Sequence, residues 1–203
     1  MSSSGPPHRR KDAARNRAAL LAAAGEIFER DGIGAPLEDI ATAAGLSRAS
    51  LARHFPSRED LIAALWEADV IALESTAESV KELPDGLIRL FDAVVGRQVD
   101  RRSIRPTPNQ LQHGDLDQIA SRLAAAIQET LPAARRSGCA RGGLDLADVM
   151  LAIEMCADVI TSPPERERRA GRWRSSRILI LPGIVSSEWI AEHPELLDRP
   201  IAP

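Results

Sequence analysis

The residues with the clearest chemical potential form a basic, hydroxyl-bearing run at positions 47–54. Ser47 can cap a helix, because its hydroxyl can accept a hydrogen bond from an N–H group of the first turn. Leu51 and Phe55 lie four residues apart, so they predict an apolar back on that helix. The opposite side carries Arg48, Ala49, Ser50, Arg53 and His54. A helix of this kind rests on a scaffold and presents its front to something anionic.

The segments that precede this run supply the scaffold. Ile40 and Ala44 share one face of a short helix, and Gly45 follows where a helix needs a residue that tolerates positive φ to stop and turn. Residues 17–32 form an earlier helix with a regular apolar stripe, from which Phe28 is expected to meet Ile40 and Phe55 in a small core. Two short helices joined by a tight turn, the second one basic, predict a helix-turn-helix.

The segment at 41–61, ATAAGLSRASLARHFPSREDL, resembles the signature of the TetR family of transcriptional regulators. Residues 17–32 are similar to the first helix of that family. Ala52 departs from the pattern, because most members carry there a tyrosine that touches a DNA phosphate. The resemblance implies a one-component transcriptional regulator, most often a repressor. Such a regulator binds double-stranded operator DNA as a homodimer and is released by a small-molecule effector.

Eight residues are predicted to contact DNA, beginning with the capping residue Ser47. Arg48, Ala49 and Ser50 open the second helix of the motif, where side chains can reach base edges in the major groove. Contacts to backbone phosphates are expected from Arg53, His54, Ser57 and Arg58. Ordinary surface charge is the alternative for the two arginines in that group, and the histidine could equally pack against the first helix.

The net charge of −3 does not by itself indicate a nucleic-acid binder. Its distribution says more, because residues 1–62 hold nine Arg or Lys against eight Asp or Glu, and the first seventeen residues hold five against one. A locally basic edge suffices for phosphate contact, since that interaction is short-ranged at physiological salt. The basic residues between His8 and Arg15 are interpreted as an arm that leads into the first helix, either touching DNA or simply solvated.

Little in the sequence favours another class of protein. No apolar run approaches the roughly 18 residues that span a membrane, and no signal-peptide core is visible, so we expect a cytoplasmic protein without a membrane partner. The two cysteines and four histidines lack metal-ligand spacing. No Gly-rich phosphate loop, G-x-S-x-G or H-E-x-x-H motif is present. We therefore expect no metal, no cofactor, no catalytic residues and no enzyme activity.

Apolar periodicity predicts an all-α chain with a three-helix head at residues 8–62 and a helical domain at 63–190. The resemblance implies that the head binds DNA and that the helical domain binds an effector and dimerises. Helices are predicted at 58–81, 84–102, 115–136, 144–162 and 165–181. A loop is expected at 103–114, and Pro182 is expected to stop the last long helix. Residues 1–7 and 191–203 are interpreted as flexible tails.

The body is expected to hold an effector pocket and a dimer interface. The candidate pocket residues are Trp66, Phe91, His113, Met150 and Glu154, and each could instead be an ordinary core or surface residue. The last two long helices are expected to pair with their mates. The candidate interface residues are Val149, Ile153, Cys156, Ile160, Trp173 and Ile178. Burial within one chain is the alternative for the apolar members of both sets.

An effector in the body would act by tilting the helix at 58–81 and changing the separation of the two heads. It can do so only through unequal affinity for the two states. A rival interpretation is a helical ligand-binding or protein-interaction module that has lost DNA binding. Ala52 and the nearly neutral head support that rival.

Overall fold

A computed structural model describes residues 7–100, 113–161 and 166–199 of the chain. These residues divide into two compact units. We call residues 7–68 the head, and the remaining described residues, from 69 onward, the body. Apart from an isolated β-bridge between Ala140 and Val185, the regular structure in the described residues is helical. The all-α prediction is therefore confirmed.

The head contains four helical segments around one apolar core. They are α1 (Pro7–Asp31), α2 (Leu37–Ala43), α3 (Arg48–His54) and the first part of α4 (Arg58–Val80). Phe28, Ile40 and Phe55 belong to the same buried cluster, which confirms that they meet in the core of the head. Leu61 and Leu65 of α4 belong to the same cluster, so the first part of α4 packs into the core of the head.

The first helix is longer than the sequence indicated, because α1 begins at Pro7 and not near residue 17. The basic residues interpreted as an arm therefore lie on the first turns of α1. Proline is favoured at the first helical position, since the N–H that it lacks has no partner there, and Ala13 and Ala14 favour helix. Arg15 also pairs with Asp12 one turn earlier, at 3.2 Å. Residues 1–6 of the predicted tail lie outside the described residues.

The body is built from the rest of α4 and five further α-helices in its described part. They are α5 (Gly86–Asp100), α6 (His113–Arg136), α7 (Leu146–Thr161), α8 (Arg166–Ile184) and α9 (Ser187–Glu192). A short 3-10 helix follows at Pro194–Leu197. Helix α7 packs against α8, α5 and α6, and these helices enclose one large apolar core. Most of the predicted loop at 103–114 lies outside the described residues, but His113 is wrongly placed in it, because His113 begins α6.

Helix α8 continues through Pro182 to Ile184, so the predicted stop at Pro182 is wrong. Proline removes one backbone donor from the helix. The two residues that follow it can still be helical when other groups bond their carbonyls, which have no partner within the helix. Arg141 supplies those bonds in this structure. Its backbone N–H donates to the Ile184 carbonyl at 3.0 Å, and its Nε donates to the Gly183 carbonyl at 2.6 Å.

The chain from 187 to 199 is regular and anchored, so the prediction of a flexible tail is wrong for residues 191–199. Leu196 is 2% exposed and belongs to the core of the body. Arg177 of α8 is also buried, where its Nε donates to the Leu196 carbonyl at 2.5 Å and its Nη1 pairs with the carboxylate of Asp92. Because these partners lie far from one another in the sequence, no local sequence pattern predicts that the C-terminal segment is anchored. Residues 200–203 lie outside the described residues.

Candidate nucleic-acid interface

The turn between α2 and α3 determines the direction in which α3 leaves the scaffold. Gly45 has φ +67°, and its N–H donates to the Thr42 carbonyl at 3.0 Å. The next N–H, of Leu46, donates to the Ala41 carbonyl at 2.9 Å. This pair of bonds is a Schellman motif, which closes the end of α2. Ser47 then starts α3, because its hydroxyl accepts from the Ser50 N–H at 3.1 Å, as predicted.

One side of α3 is anchored in the head, and the other is open. Leu51 and Phe55 are 0% and 2% exposed and pack in the core of the head. The exposed side consists of four residues, which we call the α3 front: Arg48, Ala49, Ala52 and Arg53. Ser50 was expected on this front and is instead buried. It lies about 100° around the helix from Leu51, and so borders the anchored side.

Arg48, the leading residue of the α3 front, is paired with an acidic residue of α2. Its Nε lies 2.9 Å from Oε1 of Glu38, ten residues earlier in the chain. Both side chains are largely exposed. The pKa of the Glu38 carboxyl is lowered by its own backbone N–H in the first turn of α2 and then by the Arg48 guanidinium. Glu38 is therefore an anion at neutral pH, and Arg48 remains a cation with donors to spare.

Arg53 and His54 end α3 in different surroundings. Arg53 is exposed on the α3 front, where a guanidinium can meet a phosphate. His54 is half-buried, and its ring centroid lies 6.4 Å from that of Phe55. Both of the interpretations considered for His54, phosphate contact and packing in the head, remain compatible with this position.

Ser57 and Arg58 begin α4, and both have structural contacts. The Ser57 hydroxyl donates to Asp60 Oδ2 at 2.7 Å and accepts from the Asp60 N–H at 3.0 Å, so the two residues form a capping box. Arg58 Nη1 donates to the Ile33 carbonyl, and its guanidinium lies 5.7 Å from the centre of the Phe28 ring. Arg58 thus fastens the α1–α2 connection. Its phosphate contact and that of Ser57 stay predictions.

A further cation, Arg17, was not singled out in the sequence. Its guanidinium lies 5.2 Å from the centre of the Phe55 ring, although the residue is 38 positions away in the chain. Its position among the other basic residues in the first half of α1 gave no signal of this contact. A guanidinium over an aromatic face is weakly attracted to it. Arg17 therefore helps to hold the end of α3 against α1.

The candidate pocket residues with described side chains differ in their surroundings. Trp66 packs against the core of the head, whereas Phe91 is buried in the core of the body. Met150 lies half-buried against that same body core, and Glu154 is exposed on α7. The side chain of His113 lies outside the described residues. That these residues line one pocket stays a prediction. Helical periodicity alone cannot tell a cavity wall from close-packed core.

The predicted dimer interface also needs correction. Val149, Ile153 and Cys156 are 0%, 3% and 1% exposed, because they pack inside the body of their own chain. Ile178 is 45% exposed, as an interface residue of a single chain should be. The side chains of Ile160 and Trp173 lie outside the described residues. Helix α7 is apolar on more than one face, so the sequence did not reveal which face is buried.

Other apolar side chains of α7 and α8 are exposed instead. Leu151, Met155 and Leu179 are 56%, 51% and 79% exposed, and they line one open cavity of about 250 Å³. Together with Ile178 we call them the α7/α8 apolar face. No helix within residues 7–100, 113–161 and 166–199 is long and apolar enough to cross a membrane.

Comparison with known proteins places this geometry in a family. Residues 20–65 match the sequence model of a family described as bacterial regulatory proteins, tetR family. A TetR transcription regulatory protein from Mycobacterium vanbaalenii is 27% identical, with 75% of this chain and 96% of that chain covered and a TM-score of 0.63. A TetR transcriptional regulator from Streptomyces coelicolor is 23% identical, with coverage of 84% and 99% and a TM-score of 0.68.

A further structure with this fold is a gamma-butyrolactone receptor, described as an ArpA-like protein. It is 19% identical, with 92% of this chain and 96% of that chain covered and a TM-score of 0.57. No curated protein matches the chain. The fold and these matches define a helix-turn-helix, DNA-binding regulator with a helical body. Residues 20–65 thus match the tetR family of bacterial regulatory proteins, and the described chain has the fold of TetR transcriptional regulators.

Proposed function

We propose that the chain is a cytoplasmic transcriptional repressor, which binds operator DNA as a homodimer and leaves it when a small molecule binds the body. The observation that carries this proposal is the α3 front. Arg48, Ala49 and Arg53 are exposed on a helix whose start is capped and whose opposite side is anchored in the head. Such a helix can enter the major groove without rearrangement of its scaffold.

Three residues of the α3 front and two residues that follow it have proposed contacts with DNA. Arg48 donates to a guanine edge, which is the commonest base contact of arginine, and Ala49 contacts a thymine methyl group. Arg53, His54 and Arg58 contact phosphates, which position the helix but carry no sequence information. Ala52 supplies no polar group, so the phosphate contact that a tyrosine makes in most family members is missing from this set.

A homodimer is proposed because one short helix reads too few base pairs to select a site. Two heads related by twofold symmetry read a pseudo-palindrome with half-sites about one helical turn apart. The α7/α8 apolar face supports this assembly, since exposed apolar side chains around a shallow cavity are suited to an isologous contact. The interface is thus moved from the buried residues of α7 to Leu151, Met155, Ile178 and Leu179.

The dimer is tested by sedimentation of purified wild-type protein and the variant Leu179→Glu at micromolar concentration. We expect a dimer for the wild type and a monomer for the variant, because a carboxylate at the centre of an apolar interface cannot be solvated. Ile71→Glu places the same charge at an apolar residue of α4 that is 54% exposed, and should leave the dimer intact. A monomeric wild type would contradict the proposal.

Release by a small molecule requires a path from the body to the head, and α4 runs through both. In the body, Asp69 of α4 pairs with Arg97 of α5 at 2.9 Å, and Glu74 of α4 pairs with Arg122 of α6 through two bonds of 2.7 and 2.6 Å. A ligand that changes the packing of α5 or α6 would thus act on α4. The gamma-butyrolactone receptors of the same fold support a small-molecule effector, without identifying it.

The function is tested by titrating the protein with DNA from its own promoter region at several salt concentrations, with a scrambled duplex as competitor. We expect binding that survives the competitor and weakens linearly in a plot of log affinity against log salt. Weak and equal binding of both duplexes would favour the rival interpretation, a ligand-binding or protein-interaction module. Ala52 and the nearly neutral head are the observations that support this rival.

The role of Arg48 is tested by Arg48→Ala on the same operator. We expect a loss of roughly 1–3 kcal/mol, with relaxed preference at one base pair. Arg136→Ala, an exposed arginine of the body, removes the same charge away from the head and should have little effect. An equal loss on all sequences would make Arg48 a phosphate contact instead.

A further inference from the structure

The ion pair between Glu38 and Arg48 bridges the two helices of the helix-turn-helix. Glu38 lies in the first turn of α2, and Arg48 lies in the first turn of α3. The backbone under Glu38 is fixed, because α2 packs against α1 and α3 and the Thr42 hydroxyl donates to the Glu38 carbonyl at 2.8 Å. A carboxylate held in this way can limit the directions that the long Arg48 side chain takes.

The geometry of the pair leaves a defined part of the guanidinium available. Glu38 Oε1 is 2.9 Å from Nε of Arg48, so the carboxylate occupies the Nε position. The terminal amino groups are the donors that remain, and two parallel donors match the O6 and N7 acceptors of guanine. The carboxylate also offsets the charge of Arg48, which weakens its attraction to any phosphate nearby.

We infer that Glu38 is a positioning residue, which turns Arg48 toward a base edge and away from the phosphates. The inference rests on the proposed DNA-binding function. It predicts that Glu38 raises the sequence specificity of binding while lowering the affinity for DNA of any sequence, since its own negative charge repels the phosphates. Glu38 itself need not touch DNA, so its effect should depend on the presence of Arg48.

The experiment is a double-mutant cycle with Glu38→Gln, Arg48→Ala and the double variant. Affinities are measured for the preferred duplex, for its single base-pair substitutions and for a scrambled duplex. Asp39→Asn is the matched control, because it removes the same charge from the same turn of α2, where Asp39 is also exposed. Thermal unfolding of each variant, followed by circular dichroism, establishes that the head remains folded.

We expect Glu38→Gln to lower the ratio of preferred to scrambled affinity by about threefold or more, chiefly through lost discrimination at the base pair read by Arg48. Affinity for the scrambled duplex should rise in both Glu38→Gln and Asp39→Asn, because each removes one negative charge, and the rise should be larger in Glu38→Gln, which also frees Arg48 to contact a phosphate. In the Arg48→Ala background, Glu38→Gln should leave the specificity ratio unchanged.

Three results would overturn the inference. The ratio could fall equally with and without Arg48, it could fall as far in Asp39→Asn, or it could rise in Glu38→Gln because Arg48 reads the base better when released. Each of these leaves the wild type a sequence-specific binder, so the proposed function would stand. A wild type that prefers no duplex would instead remove the proposed function and this inference together.

Discussion

Replacing Asp92 by asparagine should destabilise the protein strongly, because it leaves the buried guanidinium of Arg177 without this counterion. The Arg177 side chain is fully buried and that of Asp92 is 8% exposed, so little water reaches either group. The Arg177 Nε also holds the Leu196 carbonyl, and Arg199 lies 3.6 Å from Asp92 Oδ2. Helices α5 and α8 and the C-terminal segment therefore meet at this pair.

The magnitude follows from the burial of both partners. Removing one member of a buried pair costs about 3–5 kcal/mol, since the remaining charge has lost its compensation. For a chain of this size that corresponds to a fall in the melting temperature of about 6–20 °C. Burial raises the pKa of the Asp92 carboxyl, and the charge of Arg177 opposes that rise. The cost of desolvating the two charges is thus partly offset by their attraction. Replacing both residues by leucine should consequently cost less than Asp92→Asn alone.

The assay is urea unfolding followed by far-ultraviolet circular dichroism, together with a thermal scan. Glu129→Gln is the control, because it makes the same kind of change at an exposed acidic residue of α6 and should stay within about 0.5 kcal/mol of the wild type. A loss below about 1 kcal/mol in Asp92→Asn would refute the reasoning. It would mean that the guanidinium reaches water or another carboxylate in solution.

Three further predictions concern the head, the body and the cysteines. Gly45→Ala should cost about 1–2 kcal/mol in urea unfolding, because φ +67° is strained for a residue with a Cβ, whereas Gly34→Ala, which has open space and no positive φ, should be nearly neutral. The Arg122 guanidinium lowers the pKa of Glu74, so the stability that this pair supplies is present above the unfolded pKa of about 4.3 and is lost as the pH falls through the lower folded value. The destabilisation caused by Arg122→Gln should accordingly shrink as the pH is lowered and disappear once Glu74 is protonated in the folded protein, and a loss that stays undiminished in acid would contradict the assignment. Burial raises the pKa of both cysteine thiols to about 12, so a thiol reagent at about pH 8 should label them only after denaturant is added, and rapid labelling of the native protein would contradict their burial.

The helix-turn-helix could be predicted because its signals are local. Gly45 ends α2, Ser47 caps α3, and Ser57 forms a capping box with Asp60, each through bonds to residues at most five positions away. Such bonds form whenever the right residue types stand at the right spacing. The spacing of Leu51 and Phe55 was enough to predict the apolar back of α3. It did not define how far the buried side extends, so the burial of Ser50 was missed.

The body could be predicted only as a set of helices. Helix α7 offers apolar side chains on several faces, and only the packing against α5 and α8 decides that Ile153 is buried while Leu151 is exposed. The continuation of α8 past Pro182 depends on Arg141, and the anchored C-terminal segment depends on Arg177. These contacts join residues 19 to 85 positions apart, and no periodicity in the sequence encodes them.

The α3 front depends both on local signals, which the sequence shows, and on a contact between helices, which it does not. Arg48 and Arg53 were predicted from residue type and spacing, and the structure leaves both exposed. The partner of Arg48, Glu38, is an acidic residue in the first turn of α2, where a negative charge suits the helix dipole. Its second role as the ion-pair partner became visible only when the turn brought the two helices together.

Whether the α3 front reads DNA sequence can be measured by selecting duplexes from a random DNA library with the purified wild-type protein. We expect enrichment of an inverted repeat, with half-sites about one helical turn apart and a conserved guanine in each, and loss of that guanine preference in Arg48→Ala. Enrichment of no sequence from the library, by a protein that is folded and dimeric, would contradict this expectation. The α3 front would then not be a surface that reads DNA.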